Sequence, residues 1–333
     1  GLPTKVDSVG NVLITKPGTK GLETRPAVVL QGHLDMVCEK NSGTVHDFTK
    51  DPIRLVVAGD EVKADGTTLG ADNGIGCAAA LALLESKDVA HPPLECLFTI
   101  DEETAMTGAN ALTPTVLNGS RMLNLDTEEE GAIYVGCAGG LDTMAATAVA
   151  RVAPAAGASP YRISVTGLRG GHSGVDIHEE RGNTIKLLVR VLRGLEQVIP
   201  LRLASLQGGT ARNALPREAT AVVAVPLVHA AELPGLLAEW ETSLRRELAG
   251  VDAGLTLSCS STVQLDRLLA PHEQAVWLAS LHAAPHGVRR MSRQLPGIVE
   301  TSNNMGMVEL DASGGSCNFM VRSLLDSGSA ALA

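Results

Sequence analysis

The sequence predicts two α/β domains in series. The first, over residues 1–150, is a mostly parallel sheet with helices on both faces, and the second, over 151–333, is an α+β unit. Three observations lead there. Short apolar runs at 27–30, 94–100 and 122–125 are too brief for helices and read as buried strands. Helical stretches alternate with them, the pattern that builds a parallel sheet. An Ala/Pro/Gly-rich segment at 151–160 (RVAPAAGASP) then reads as a linker, and the pattern changes beyond it.

Residues 11–15 (NVLIT) and 27–31 read as successive strands. Residues 70–85 read as a loop and then a helix, which Asp72 or Asn73 can cap, with Ile75, Cys77, Leu81 and Leu84 at helical spacing. A strand ends at 101–103, a Gly-initiated helix follows over 108–117, and a strand occupies 121–126. In the second domain 161–167 alternates as a strand and 183–198 is an amphipathic helix. Strands at 201–207 and 219–227, a helix at 231–249 and a strand at 255–261 complete a βαββαβ order, the ferredoxin-like module. A helix at 271–284 and strands at 297–310 and 315–323 extend it.

Composition excludes several classes. A formal charge of −10 disfavours nucleic acid and anionic membranes as partners. The strongly apolar stretch 75–84 carries no charge but is too short to span a bilayer. With aromatics at 2%, the core is built from Ala, Val and Leu. Six cysteines without a CxxC pair read as reduced core residues of a cytoplasmic protein. The opening at Gly1 and the ending DSGSAALA read as cuts inside a longer protein.

The chemistry concentrates where the early strands end. GHLDM, GADNG, TIDEET and LNLD place His33, Asp35, Asp72, Glu102, Glu103 and Asp126 at the carboxyl edge of one sheet, where open α/β sheets bind ligands. Carboxylates crowded there would protonate unless a divalent cation, or two, compensated them. On a strand His33 and Asp35 face the same side, so Asp35 can orient the imidazole; the pair also fits a surface His beside a capping Asp. The acids 101–103 alternate in direction, which suits a metal ligand beside a general base and equally suits a solvated acidic turn. Asp126 reads as a strand-end ligand, and Glu128–Glu130 as a solvated loop.

Taken in order, GHLDMV, TTLGADNGIG, DEE, NLDTEEEG and YVGCAGG resemble the aminoacyl-histidine dipeptidases, also called cytosol non-specific dipeptidases. These belong to the di-zinc metallopeptidases that include carnosinase, aminoacylase and peptidase T. The resemblance continues through VHDFTKDPI, GLRGGHSG, RNALPREA, ETSNN and VRSLLDSG, nearly the whole chain. It implies that His33, Asp72 and Asp126 hold one zinc, and that Asp72 bridges to a second held by Glu103. It further implies that Asp35 orients His33, that Glu102 is the general base, and that a non-proline cis peptide falls at Asp72–Asn73. In the second domain it assigns His172, Asn213 and Arg322 to substrate: Arg322 for a terminal carboxylate, His172 and Asn213 for the carboxylate or the tetrahedral oxyanion. It implies homodimers through the second domain, able to supply His172 to the neighbouring subunit.

One departure stands out. The family's second zinc takes a further His from a C-terminal segment, and no His follows Arg322 here. The expectation is therefore a fragment with one site complete and the other short of a ligand. The expected activity is zinc-dependent hydrolysis of unblocked dipeptides, Xaa-His included. N-acyl amino acid deacylation on the same scaffold, or a non-catalytic metal- or peptide-binding fragment, are the alternatives.

Overall fold

A computed structural model describes residues 1–40, 44–127, 131–263 and 265–333. They form two compact units, Gly1–Val135 and Gly136–Ala333. The acidic run 128–130, expected as a solvated loop, lies outside the described residues.

In the first unit the strands are β1 (Thr4–Val6), β2 (Val12–Lys16) and β3 (Val28–His33), then a hairpin of β4 (Leu55–Ala58) and β5 (Glu61–Ala64). Helix α1 (Ala71–Glu85), β6 (Leu94–Thr99), α2 (Thr107–Asn110) and β7 (Arg121–Asn124) follow. The sheet runs β1-β2-β6-β3-β7. Strands β6, β3 and β7 are mutually parallel, whereas β1 and β2 join antiparallel. The expected mostly parallel sheet is thus mixed. The cause is local: Asp7 Oδ1 accepts the N–H groups of Val9, Gly10 and Asn11, a tight turn that folds β2 back beside β1.

Helix α1 covers one face, packing Cys77, Ala80 and Leu84 on Leu30, Cys96 and Phe98. The opposite face buries Leu13, Val29 and Leu97 under Leu112, Val116 and Leu117. The helix expected over 108–117 is a single turn, α2, among the described residues. Pro114 explains it, because proline lacks an N–H and pushes the preceding residue out of the helical region.

The second unit contains β8 (Gly139–Thr147), β9 (Arg151–Val152), β10 (Ala158–Thr166), β11 (Gly171–His172), α3 (Thr184–Leu195), β12 (Arg202–Gly208), β13 (Ala214–Leu215) and β14 (Ala219–Pro226). Then come α4 (Leu233–Glu247), β15 (Thr256–Ser261), β16 (Leu268–Leu269), α5 (Pro271–Ala283), β17 (Gly287–Met291), β18 (Val299–Asp311), β19 (Gly314–Ser323) and α6 (Asp326–Leu332). The main sheet runs β15-β10-β14-β12-β18-β19-β8, with β17 also paired to β18. Its ladders are antiparallel. Alternate residues such as Ile163 and Val165 of β10 and Ala221, Val223 and Val225 of β14 share one core with α3, α4 and α5.

Asn183 starts α3 as the sequence suggests, its side chain accepting from the N–H groups of Ile185 and Lys186. Strand β8 lies in the stretch assigned by sequence to the first domain, yet it pairs with β19 along its length. The segment read as a linker is anchored, since Arg151 donates to Ala204 O at 2.9 Å and also to Asp311 O.

Candidate metal centre

Parallel strands β3, β6 and β7 end side by side, so the chain that leaves each one delivers its polar residues to the same edge. His33 closes β3 and is 2% exposed. Its Nδ1 lies 2.9 Å from the main-chain O of Asp35, an acceptor only, so Nδ1 carries the proton. Nε2 then faces Asp72 Oδ1 at 3.0 Å and Asp126 Oδ1 at 3.5 Å. Ligand atoms of His33, Asp72 and Glu103 lie within 4.8 Å of one another.

The Asp35 carboxylate makes contacts in addition to that with the imidazole. Its Oδ1 is 3.5 Å from His33 Nδ1, but it accepts Glu102 N–H on Oδ1 at 3.1 Å and Glu103 N–H on Oδ2 at 3.0 Å. Burial would raise its pKa; the two N–H groups outweigh that and hold it below the usual carboxylate range. The acid triplet divides accordingly. Asp101 sits at φ 56 and takes the hydroxyls of Thr104 and Thr107, closing the turn. Glu102 lines a cavity of about 200 Å³ together with Asp126, and Glu103 joins the His33 group.

Asp72 and Asn73 do not cap α1; neither side chain makes a cap bond, and both have non-helical backbone angles. The Asp72–Asn73 peptide is cis, where the resemblance places one. Asn73, which the sequence offered only as a cap, donates to Leu125 O at 2.8 Å and to Asp126 Oδ1, steadying that carboxylate. A Cβ at Gly32 would come within 2.3 Å of Asn73 Oδ1, and one at Gly76 within 2.5 Å of Leu125 O. Those glycines let strand and helix close around Asn73.

The electrostatics suit a cation. Burial, then Asp72, push the Asp126 carboxyl up to about 6. Glu103 is also raised, by burial and then by Asp72 and Glu102. Burial alone would lower His33, but Asp72, Asp126 and Glu102 bring it above its usual value. The His33, Asp72 and Glu103 group, with Asp126 Oδ1 beside the same imidazole nitrogen, is a donor set that fits a divalent ion.

In the second unit His172, Asn213 and Arg322 are brought together. Arg322 reaches Ser173 Oγ and His172 Nε2, each at 3.3 Å, and Ser173 N–H donates to Asn213 O at 2.7 Å. Burial, then Arg322, lower the His172 pKa below the usual histidine value. Cys77, Cys96 and Cys317 are buried, and all six cysteines are free. No helix among the described residues is long and apolar enough to cross a membrane.

Known proteins are similar to this chain. A family profile described as the peptidase dimerisation domain matches residues 163–252. The cytosol non-specific dipeptidase of Escherichia coli (strain K12) is 46% identical over 328 residues, spanning 98% of this chain and 68% of that protein. The crystal structure of aminoacylhistidine dipeptidase from Vibrio alginolyticus is 44% identical, with a TM-score of 0.68 over 100% of this chain and 68% of that one. An uncharacterized protein, YqjE, of Bacillus subtilis (strain 168) is 32% identical over 123 residues, 36% of this chain and 30% of that protein. A mixed α/β fold, a strand-end donor set and a peptidase dimerisation domain define the class, a metallopeptidase. Within that class, the chain belongs to the cytosol non-specific dipeptidase family.

Proposed function

We propose that this protein hydrolyses unblocked dipeptides, Xaa-His among them, in the cytoplasm, as a homodimer dependent on zinc. The observation that carries the reading is the convergence of His33 Nε2 with Asp72 and Asp126 at a strand edge, with Glu103 in the same group. The first unit is the catalytic domain, a sheet with a parallel core. The βαββαβ part of the second is a ferredoxin-like lid and dimerisation module, supported by the strand order β15-β10-β14-β12.

His33, Asp72 and Asp126 would hold one zinc, and Asp72 with Glu103 a second. Held by these residues, zinc would supply Lewis acidity to a water and to the scissile carbonyl. Glu102 takes a proton from the attacking water and returns it to the leaving amine. Asp35 fixes the backbone from which both Glu102 and Glu103 project. For the second unit, Arg322 binds the substrate's terminal carboxylate as a fork, and His172 and Asn213 donate to the developing oxyanion.

The test is an assay on an Xaa-His dipeptide and on an N-acetyl amino acid, each with and without a chelator. Chelator-sensitive cleavage of the free dipeptide, abolished in Glu102→Ala, is expected. Activity indifferent to the chelator, or a clear preference for the N-acyl substrate, would contradict the proposal.

A further inference from the structure

The ETSNN segment has no role in the chemistry above, yet both its asparagines are buried in β18. Neighbours on a strand point to opposite faces. Asn303 donates to Pro285 O at 2.8 Å. Asn304, 1% exposed, faces the other way and donates Nδ2 to Arg212 O at 2.9 Å and to Ala214 O at 2.8 Å. These carbonyls flank Asn213. Turning the amide over would set its oxygen against two carbonyl oxygens, so its orientation is fixed even though Oδ1 is buried without a partner among the described residues.

The rest of the loop is held as firmly. Asn213 O accepts from Ser173 N–H at 2.7 Å, and Ala214 pairs with His172 across β11 and β13. Arg212 Nη1 reaches Asp142 Oδ2 at 2.6 Å, and Asp142 Oδ1 takes Asn318 Nδ2 at 2.9 Å. A Cβ on Gly306 would lie 2.7 Å from Arg212 O, so the loop rests directly on the β18 bulge. Three successive carbonyls are tied down. The side-chain amide of Asn213 itself has no hydrogen-bond partner among the described residues, and Asn213 is only half-buried.

We propose that Asn304 is a positioning residue that presets the Asn213 amide for substrate, with the Asp142–Arg212 pair as an outer brace; this rests on the substrate-binding role proposed for Asn213. A donor fixed before the substrate arrives costs no ordering at the moment of reaction, and small misplacements of such groups are expensive. The Asp142–Arg212 pair is too exposed to carry the loop alone, with side chains 38% and 44% accessible. Asn304 provides the main constraint.

Hydrogen exchange on the full chain tests this without reference to turnover. In Asn304→Ala, the Ser173 and Ala214 amides should exchange at least about tenfold faster, while Val223 in the central strand β14 is unchanged. Unchanged exchange at Ser173, or equal acceleration at Val223, would overturn the proposal. If Asn304→Ala does not fold, Asp142→Ala serves in its place, with an expected acceleration of about threefold confined to the same two amides. In turnover, Asn304→Ala should lower kcat for a dipeptide by about 10- to 100-fold with little change in KM. It should add nothing to the loss already caused by Asn213→Ala, and additive losses would overturn the proposal. No turnover by the unmodified protein would instead contradict the proposed dipeptidase activity, leaving exchange to decide the role of Asn304.

Discussion

The carboxylate of Asp35 accepts the backbone N–H of Glu103 at 3.0 Å, and its other oxygen accepts that of Glu102 at 3.1 Å. The strand-end residue next to the imidazole therefore sets the position of two acids 67 and 68 residues away in sequence. Asp35→Ala removes both acceptors while leaving the main-chain O that fixes His33. We expect a loss in zinc affinity and in kcat of about 10- to 100-fold each, the range for groups that orient ligands. Unaltered zinc affinity by competition titration would show that the Glu103 backbone needs no such support.

Gly32→Ala would press a methyl group against Asn73 Oδ1 and Cys77 Sγ. The expected cost is about 1–3 kcal/mol in urea unfolding. A fall in zinc affinity should accompany it, because Asn73 also donates to Asp126. Stability lost with affinity retained would separate Asn73 from the metal centre.

Asn183→Ala deletes the cap of α3, costing about 1 kcal/mol by itself. The same side chain donates to Met305 O at 2.9 Å in the core, and leaving that carbonyl unpaired adds about 1–3 kcal/mol. A total below 1 kcal/mol in denaturant unfolding would contradict this double role.

His286 gives the second unit a pH dependence. Its Nδ1 accepts from Met305 N–H at 3.3 Å, and burial, then Lys186, bring its pKa down to about 4. Unfolded, the imidazole titrates near 6.5, so between those values the unfolded chain binds more protons and stability rises with pH. The stabilisation is complete above about pH 6.5 and declines as pH falls towards 4, by up to about 3 kcal/mol. Unfolding midpoints of the protein and of His286→Gln at pH 7 and pH 4.5 check it. The variant should lose less stability on acidification; parallel losses would contradict the assignment.

Much of this was readable in the chain. The segments that carry His33, Glu103 and Asp126 stood out because short apolar runs stop just before or at polar residues, and Asp72 because its Gly-rich turn opens a helix. The residues alone left the division of labour within 101–103 open between a ligand beside a base and a solvated turn, since it depends on the left-handed turn at Asp101 and on Asp35 from the segment after β3. Strand β8 was missed because GGLDTMAAT has no Val, Ile or aromatic residue and only Thr143 and Thr147 as β-branched ones; its pairing with β19 supplies the order. Asn304 looked like any polar strand residue, and its role appears only once the Arg212–Ala214 carbonyls are placed above it.

The central claim is that the strand-end group binds zinc for dipeptide hydrolysis. Zinc-dependent cleavage of an Xaa-His dipeptide, compared between the protein and Asp126→Ala, tests it most directly. The account predicts zinc-restored cleavage in the unmodified protein, and in the variant a loss of both tightly bound zinc and turnover. Equal zinc content and equal cleavage in the two proteins would contradict it.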